Sequence, residues 1–216
     1  MICLPRLYAI IDFAAVCGDD SSPIGALRSL SVFAGELLAG GATLIQYRNK
    51  KGSSAEMLAQ ARMLRLASKS AAWWVLNDRA DLCCAAGYDG VHLGTEDMGP
   101  QNAHKLGRGT AEDRLWIGVS AHNLEQVRLA DELPVDYVAV GPVFATSSKD
   151  EAEPVIGLGG ISSARKATRK PLVAIGGITR RNCRLVIDAG ADSLAVIGDL
   201  IAEPRRSVEE FLRILN

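Results

Sequence analysis

The sequence predicts an α/β protein, a single-domain (β/α)8 barrel of the TIM type over residues 1–216. Three observations carry that expectation. Short apolar, β-branched runs recur at fairly even intervals, about eight of them along 216 residues. Most are followed by a stretch of good helix formers with helical spacing, and such alternation demands parallel strands joined by crossover helices. Polar or glycine punctuation closes most of the runs, at the end where barrels of this type place their chemistry. A doubly wound open sheet is the architectural alternative.

In chain order, the first strand is expected at 7–11, where Leu-Tyr-Ala-Ile-Ile is stopped by Asp12, and a helix follows at 25–38. The second strand, 43–46, leads into a helix at 54–68; the third, 73–76, opens on Trp73 and Trp74. Strands at 90–92 and 116–119 precede a helix at 123–132, and strands at 137–140 and 172–175 follow. The helix at 181–189 carries Leu185, Val186 and Ala189 at three- and four-residue spacing, and 193–196 is the last strand. Residues 147–157 mix Lys149, acids and Pro154 without periodicity and read as the longest mobile loop.

Composition narrows the function classes. Hydrophobic residues make up 48% and charged ones 23%, the proportions of a globular chain rather than a disordered one. Lys and Arg number 24 against 25 Asp and Glu, a net charge of -1, so no basic excess is available to neutralise a nucleic acid. No apolar run approaches the roughly 18 residues of a membrane span. The five cysteines, Cys3, Cys17, Cys83, Cys84 and Cys183, are odd in number and lack CxxC spacing. They read as small apolar residues in a reducing compartment. The stretch from Met1 to Cys17 mimics a leader, but Asp12 interrupts it and no A-x-A-like site follows, so the expected location is the cytoplasm.

The strand ends hold the chemistry-bearing residues. Gln46, Arg48 and Lys50 alternate where the second strand ends, so an extended backbone points all three to one side, which suits an anionic ligand; ordinary charge on a solvated strand end fits the triplet as well. Asn77 and Asp78 follow the third strand and Glu96 and Asp97 the fourth, which sets Asp78 and Asp97 on neighbouring loops. Carboxylates there, beside Arg48 and Lys50, describe a magnesium-diphosphate site, because Mg²⁺ takes one or two carboxylates together with waters and phosphate oxygens. A helix-capping Asp78 paired with Arg79 or Arg48 is the plainer alternative. Gly176-Gly177-Ile178-Thr179 and Val196-Ile197-Gly198-Asp199 close the last two strands, where barrels of this type bind phosphate on free N–H groups at a helix start. Thr146, Ser147, Ser148 and Lys149 form a hydroxyl-rich stretch ending in a cation, fit to grip phosphate or to serve as a plain surface loop. His92 points into or over the barrel top, in a structural role or against a heterocycle. No HExxH, G-x-S-x-G, P-loop or GxGxxG pattern occurs, so protease, serine hydrolase and nucleotide-binding classes lose their usual support.

Together these motifs resemble the thiamine phosphate synthase family. The matching pieces are Gln46-Tyr47-Arg48-Asn49-Lys50, Asn77-Asp78-Arg79, the stretch from Asp89 to Asp97, Gly118-Val119-Ser120, the stretch from Gly141 to Lys149, and Ala174-Ile175-Gly176-Gly177-Ile178. They run in the family's order across nearly the whole chain. The resemblance implies an enzyme that couples a hydroxymethylpyrimidine diphosphate to a thiazole phosphate, carboxylated or not, releasing diphosphate with the help of Mg²⁺. It implies that Asp78 and Asp97 hold the metal. Gln46, Tyr47, Arg48, Asn49, Lys50, Asn77, Ser120 and Lys149 would contact the pyrimidine diphosphate, with Lys149, Arg48, Lys50 and Ser120 nearest the chemistry. Thr146, Ser147, Ser148, Gly177, Ile197 and Gly198 would contact the thiazole phosphate. Partners are then small molecules, with neither nucleic acid nor membrane among them and the oligomeric state left open. Departures from the family pattern are Asn49 for an acid, Thr95 for Gln, Ser148 for Thr and Gly198 for Ser. A thiazole tautomerase-like paralogue and a non-catalytic phosphate-binding barrel are the rival readings.

Overall fold

Alternation along each strand decides this architecture: one face must fill a barrel, the other must meet a helix. A computed structural model describes residues 2–18, 22–68, 72–106, 115–146 and 154–216. The chain begins with β1 (Leu7–Asp12), α1 (Phe13–Cys17), α2 (Pro23–Ala39), β2 (Leu44–Arg48), α3 (Ser54–Ala67), β3 (Trp73–Asn77) and α4 (Ala80–Ala86). It continues with β4 (Gly90–Leu93), α5 (Pro100–Leu106), β5 (Trp116–Ala121), α6 (Leu124–Glu132), β6 (Tyr137–Val140) and α7 (Gly157–Ala167). The last elements are β7 (Leu172–Ala174), α8 (Cys183–Asp188), β8 (Ser193–Val196), a single 3₁₀ turn at Gly198–Leu200, and α9 (Pro204–Leu215).

Every neighbouring pair of strands is parallel, and β8 pairs with β1 through Leu7 opposite Leu194. The ring is therefore closed in sequence order, which excludes the open doubly wound sheet. Helix starts follow local chemistry. Ser22 accepts from the N–H of Gly25 at 3.1 Å with Pro23 next in line, Ser53 and Glu56 form a reciprocal capping box, and Asn123 accepts from Gln126. Helix α4 stops at Gly87, whose φ of 71° is the left-handed cap that glycine adopts at little cost.

Two apolar layers result. Between sheet and helices lie Leu7, Ala9, Ile11, Ile45, Tyr47, Trp74, Leu76, Val91, Leu194 and Val196 with the buried helix faces. Inside the barrel lie Tyr8, Ile10, Leu44, Val75, Tyr137, Ala139, Val173 and Ala195. The large interior rings need small partners: a Cβ on Gly118 would stand 1.9 Å from Cζ of Tyr137. All five cysteines carry free thiols, and Cys83 and Cys183 are buried. Among the described residues, no helix is long and apolar enough to cross a membrane. Of the expected loop 147–157, residues 147–153 lie outside the described residues, and Gly157 already belongs to α7.

Candidate active site

The interior side chains at the C-terminal ends of the strands open into a cavity of about 630 Å³. Its floor is apolar, made by Ile10, Ala139, Val173, Ile175, Ala195 and Ile197, and its walls are polar. Such a cavity suits a ligand with a flat apolar body and charged ends.

One wall comes from β2, β3 and β4. Gln46, Arg48 and Lys50 all face the cavity, as their alternate spacing requires. Arg48 bonds the carboxylate of Asp12, its register partner on β1, and Asp12 also caps α1 by accepting from Ala15 at 3.1 Å. Lys50 is ion-paired with Asp78. Asp78 lies within hydrogen-bonding reach of Asp97, which accepts from the N–H of Gly94 at 2.7 Å. Burial, together with the neighbouring Asp97, pushes the Asp78 carboxyl above the usual carboxylate range, and Lys50 only partly offsets this. Asp78 also sits at φ 64°, a left-handed conformation in which Asp and Asn are enriched, and its N–H donates to the His92 carbonyl at 2.8 Å. Asn77 lines the cavity, and its Nδ2 is buried without a hydrogen-bond partner among the described residues. A buried donor left open at a cavity wall calls for an acceptor on the ligand.

The opposite wall is backbone. Gly176 and Gly177 take φ of 92° and 65°, and a Cβ on Gly177 would meet the carbonyl oxygen of Ala145 at 2.6 Å. Only glycine fits there. The N–H groups of Gly177 and Ile178 make no hydrogen bond among the described residues. The expectation that this turn is the start of a helix needs correction: α8 begins at Cys183, and Asn182 accepts from the N–H of Thr179 at 2.8 Å, so the open N–H groups belong to the glycine turn itself. Gly198 does open a 3₁₀ turn, in the position where these barrels carry a short extra helix. Asp199 reaches the same cavity, but Arg180 holds it by its backbone N–H at 2.7 Å and its guanidinium at 3.0 Å. Its charge is thereby largely offset.

Gln46, Arg48, Lys50, Asn77, Asp78, Ser120, Thr146, Gly177, Ile197 and Gly198 line one cavity, and Asp97 borders it through Asp78. Tyr47 and Asn49 do not join them. They alternate to the helix side, where the Tyr47 hydroxyl bonds Gln60, and Asn49 bonds Tyr47 and Gln60 and caps the turn at Lys51 and Gly52. The structure thus places these two side chains behind β2, outside the lining of the cavity. Ser147, Ser148 and Lys149 lie outside the described residues. The sequence reading missed Asp12, Tyr8, Tyr137 and the Arg180–Asp199 pair. For Asp12 the signal was present: a charged residue ending an apolar strand, in the position equivalent to Arg48 one strand over.

Fold and mouth together define a (β/α)8 barrel with a polar-walled cavity at the C-terminal ends of its strands, where barrels of this type place their chemistry. A family model described as thiamine monophosphate synthase matches residues 15–200. The thiamine-phosphate synthase of Koribacter versatilis (strain Ellin345) is 53% identical over 213 residues, covering 99% of this chain and 97% of that protein. That of Albidiferax ferrireducens is 40% identical over 198 residues, 91% of this chain and 84% of its own. A solved thiamine phosphate pyrophosphorylase from Pyrococcus furiosus superposes with a TM-score of 0.81 at 32% identity, over 97% of this chain and 95% of that one. The chain belongs to the thiamine monophosphate synthase family.

Proposed function

We propose that this enzyme makes thiamine phosphate, joining a hydroxymethylpyrimidine diphosphate to a thiazole phosphate and releasing diphosphate. The observation that carries the reading is the arrangement of charge in the cavity. Arg48, anchored by Asp12, and Lys50 stand on one wall with Asp78 and its neighbour Asp97, and a positive-φ glycine turn with open N–H groups faces them across an apolar floor. Pyrimidine diphosphate on the first wall and thiazole phosphate on the second would bring the two rings together over the floor.

In the reaction the C–O bond between the pyrimidine methylene and diphosphate breaks, and its electron pair leaves with the diphosphate. The thiazole nitrogen then gives its lone pair to the methylene carbon. Charge grows on the leaving group, where Arg48 and Lys50 oppose it through fixed electrostatics. Lys149 is proposed for the same task from the sequence alone. Ser120 and Asn77 would orient the pyrimidine diphosphate, and Thr146, Ser147, Ser148, Gly177, Ile197 and Gly198 the thiazole phosphate. No protein nucleophile takes part.

The residues fit Mg²⁺. Asp78 and Asp97 stand side by side, and burial first, then the neighbouring Asp97, raises the Asp78 carboxyl above the usual carboxylate range although Lys50 is paired with it. Among the described residues no group of three or more His, Cys, Asp or Glu comes together, so the chain would offer the ion this one carboxylate pair. Asp78 and Asp97 would hold it, and when bound it neutralises charge on the departing diphosphate. Work in the cytoplasm accords with five free thiols. A tautomerase-like paralogue needs no diphosphate site and leaves the Asp78–Asp97 pair without a purpose.

Steady-state diphosphate release from the purified protein tests the reading. Release is expected only with both substrates and Mg²⁺ present. Calorimetric binding of each substrate alone, with no diphosphate formed from the mixture, would overturn it in favour of a binding barrel.

A further inference from the structure

A continuous chain of hydrogen bonds crosses the barrel interior from Gln46 to Ser120. Gln46 Nε2 lies 2.8 Å from the Tyr8 hydroxyl, which lies 3.0 Å from the Tyr137 hydroxyl. Tyr137 is 3.1 Å from His92 Nδ1, and His92 Nε2 is 3.0 Å from the Ser120 hydroxyl. Tyr8 and Tyr137 are each 1% exposed, so both hydroxyl hydrogens need an acceptor inside the protein.

Counting donors gives the chain a direction. The Gln46 amide nitrogen donates to Tyr8, so the Tyr8 hydrogen goes to Tyr137 and the Tyr137 hydrogen to Nδ1 of His92. His92 then carries its hydrogen on Nε2 and donates to Ser120. The orientation of the Gln46 amide sets this direction, since its oxygen turned toward Tyr8 would reverse every donor in the chain. Tyr137 is built into this place: Gly118 makes room for its ring, which lies 16° from parallel to the imidazole at 5.7 Å.

We propose that Tyr137 is a positioning residue that acts through His92 to present the Ser120 hydroxyl to the cavity as a donor; at the other end of the chain the Gln46 nitrogen is committed to Tyr8, which leaves the Gln46 carbonyl oxygen to the cavity as an acceptor. A donor at Ser120 suits a diphosphate oxygen, which can only accept; an acceptor at Gln46 suits an amino group on a heterocycle. The proposal deepens the substrate reading above and rests on it for the ligand, whereas the direction of the chain can be read without any ligand.

The experiment is ¹⁵N NMR of histidine-labelled, ligand-free protein at about pH 8, above the ordinary histidine pKa. The His92 signals are assigned by their loss in His92→Gln. The expected result is a His92 imidazole protonated on Nε2 in the parent and a mixture of tautomers in Tyr137→Phe, which keeps the ring and removes only the hydroxyl. Protonation on Nδ1 in the parent, or an unchanged tautomer in Tyr137→Phe, overturns the proposal whatever the protein catalyses. In the coupling assay, Tyr137→Phe is expected to lower kcat/KM for the pyrimidine diphosphate about 3- to 10-fold, with the KM for thiazole phosphate unchanged. Adding it to Ser120→Ala should then bring little further loss. Fully additive losses would show that Tyr137 does not act through Ser120. A protein that forms no diphosphate would sink the substrate reading, and the tautomer would still decide the relay.

Discussion

Each cation on the wall that β2 contributes to the cavity already has a carboxylate partner in the folded chain: Arg48 has Asp12, and Lys50 has Asp78. Asp12 aims the guanidinium and caps α1 at once, so Asp12→Ala should lower stability by about 1–3 kcal/mol in denaturant unfolding. It should also raise the KM for pyrimidine diphosphate roughly tenfold by leaving Arg48 without its anchor. Asp78 is different, because its folded pKa is raised. A carboxyl of that kind adds stability below its unfolded pKa and loses that contribution as pH rises through its folded pKa, so at neutral pH the ionised group burdens the fold. Asp78→Asn, which also tolerates the left-handed backbone, should therefore melt at or above the parental temperature at pH 7 while losing most coupling activity. A clear fall in Tm would argue that the Lys50 ion pair is structural. The single-residue lesson concerns side-chain direction: alternation correctly gathers Gln46, Arg48 and Lys50, and the same alternation removes Tyr47 and Asn49, which a motif read as a continuous string keeps.

At the scale of elements, strand existence was legible throughout, and the ends were less so. The expected strands at 7–11, 43–46 and 73–76 extend in the structure to Asp12, Arg48 and Asn77. Polar residues end an apolar pattern, yet an interior-facing polar residue at the barrel mouth still pairs in the sheet. The positions at the cavity mouth are thus the ones a hydrophobic pattern trims away. Tyr8 and Tyr137 were hidden for another reason: each looks like an ordinary strand aromatic until the barrel closes and brings residues 129 positions apart to 3.0 Å. The glycine positions separate into two kinds. Gly177→Ala forces a Cβ onto the Ala145 carbonyl at positive φ, and should cost about 1–3 kcal/mol and weaken thiazole phosphate binding in calorimetry, with pyrimidine diphosphate binding retained. At Gly198 a Cβ meets nothing within 4 Å. Gly198→Ser should fold normally and lower the KM for thiazole phosphate several-fold, the worth of one added hydrogen bond of about 1 kcal/mol.

For the whole molecule, the closed ring fixes which loops can meet. Consecutive strands β2, β3 and β4 deliver the cations and the acid pair, and β7 and β8 deliver the glycine turns on the far side of the same mouth. The barrel class was legible because eight alternating units leave few other ways to bury two faces of every strand. Mg²⁺ should raise Tm at pH 7, and the rise should shrink on acidification as protons compete for Asp78. The most direct measurement is the Mg²⁺ dependence of diphosphate release, taken with both substrates in the parent and in Asp78→Asn. Release that saturates with Mg²⁺ in the parent and falls at least about 100-fold in the variant is the predicted result. Equal release from both proteins, or release indifferent to Mg²⁺, would contradict a metal-bearing acid pair at the departing diphosphate.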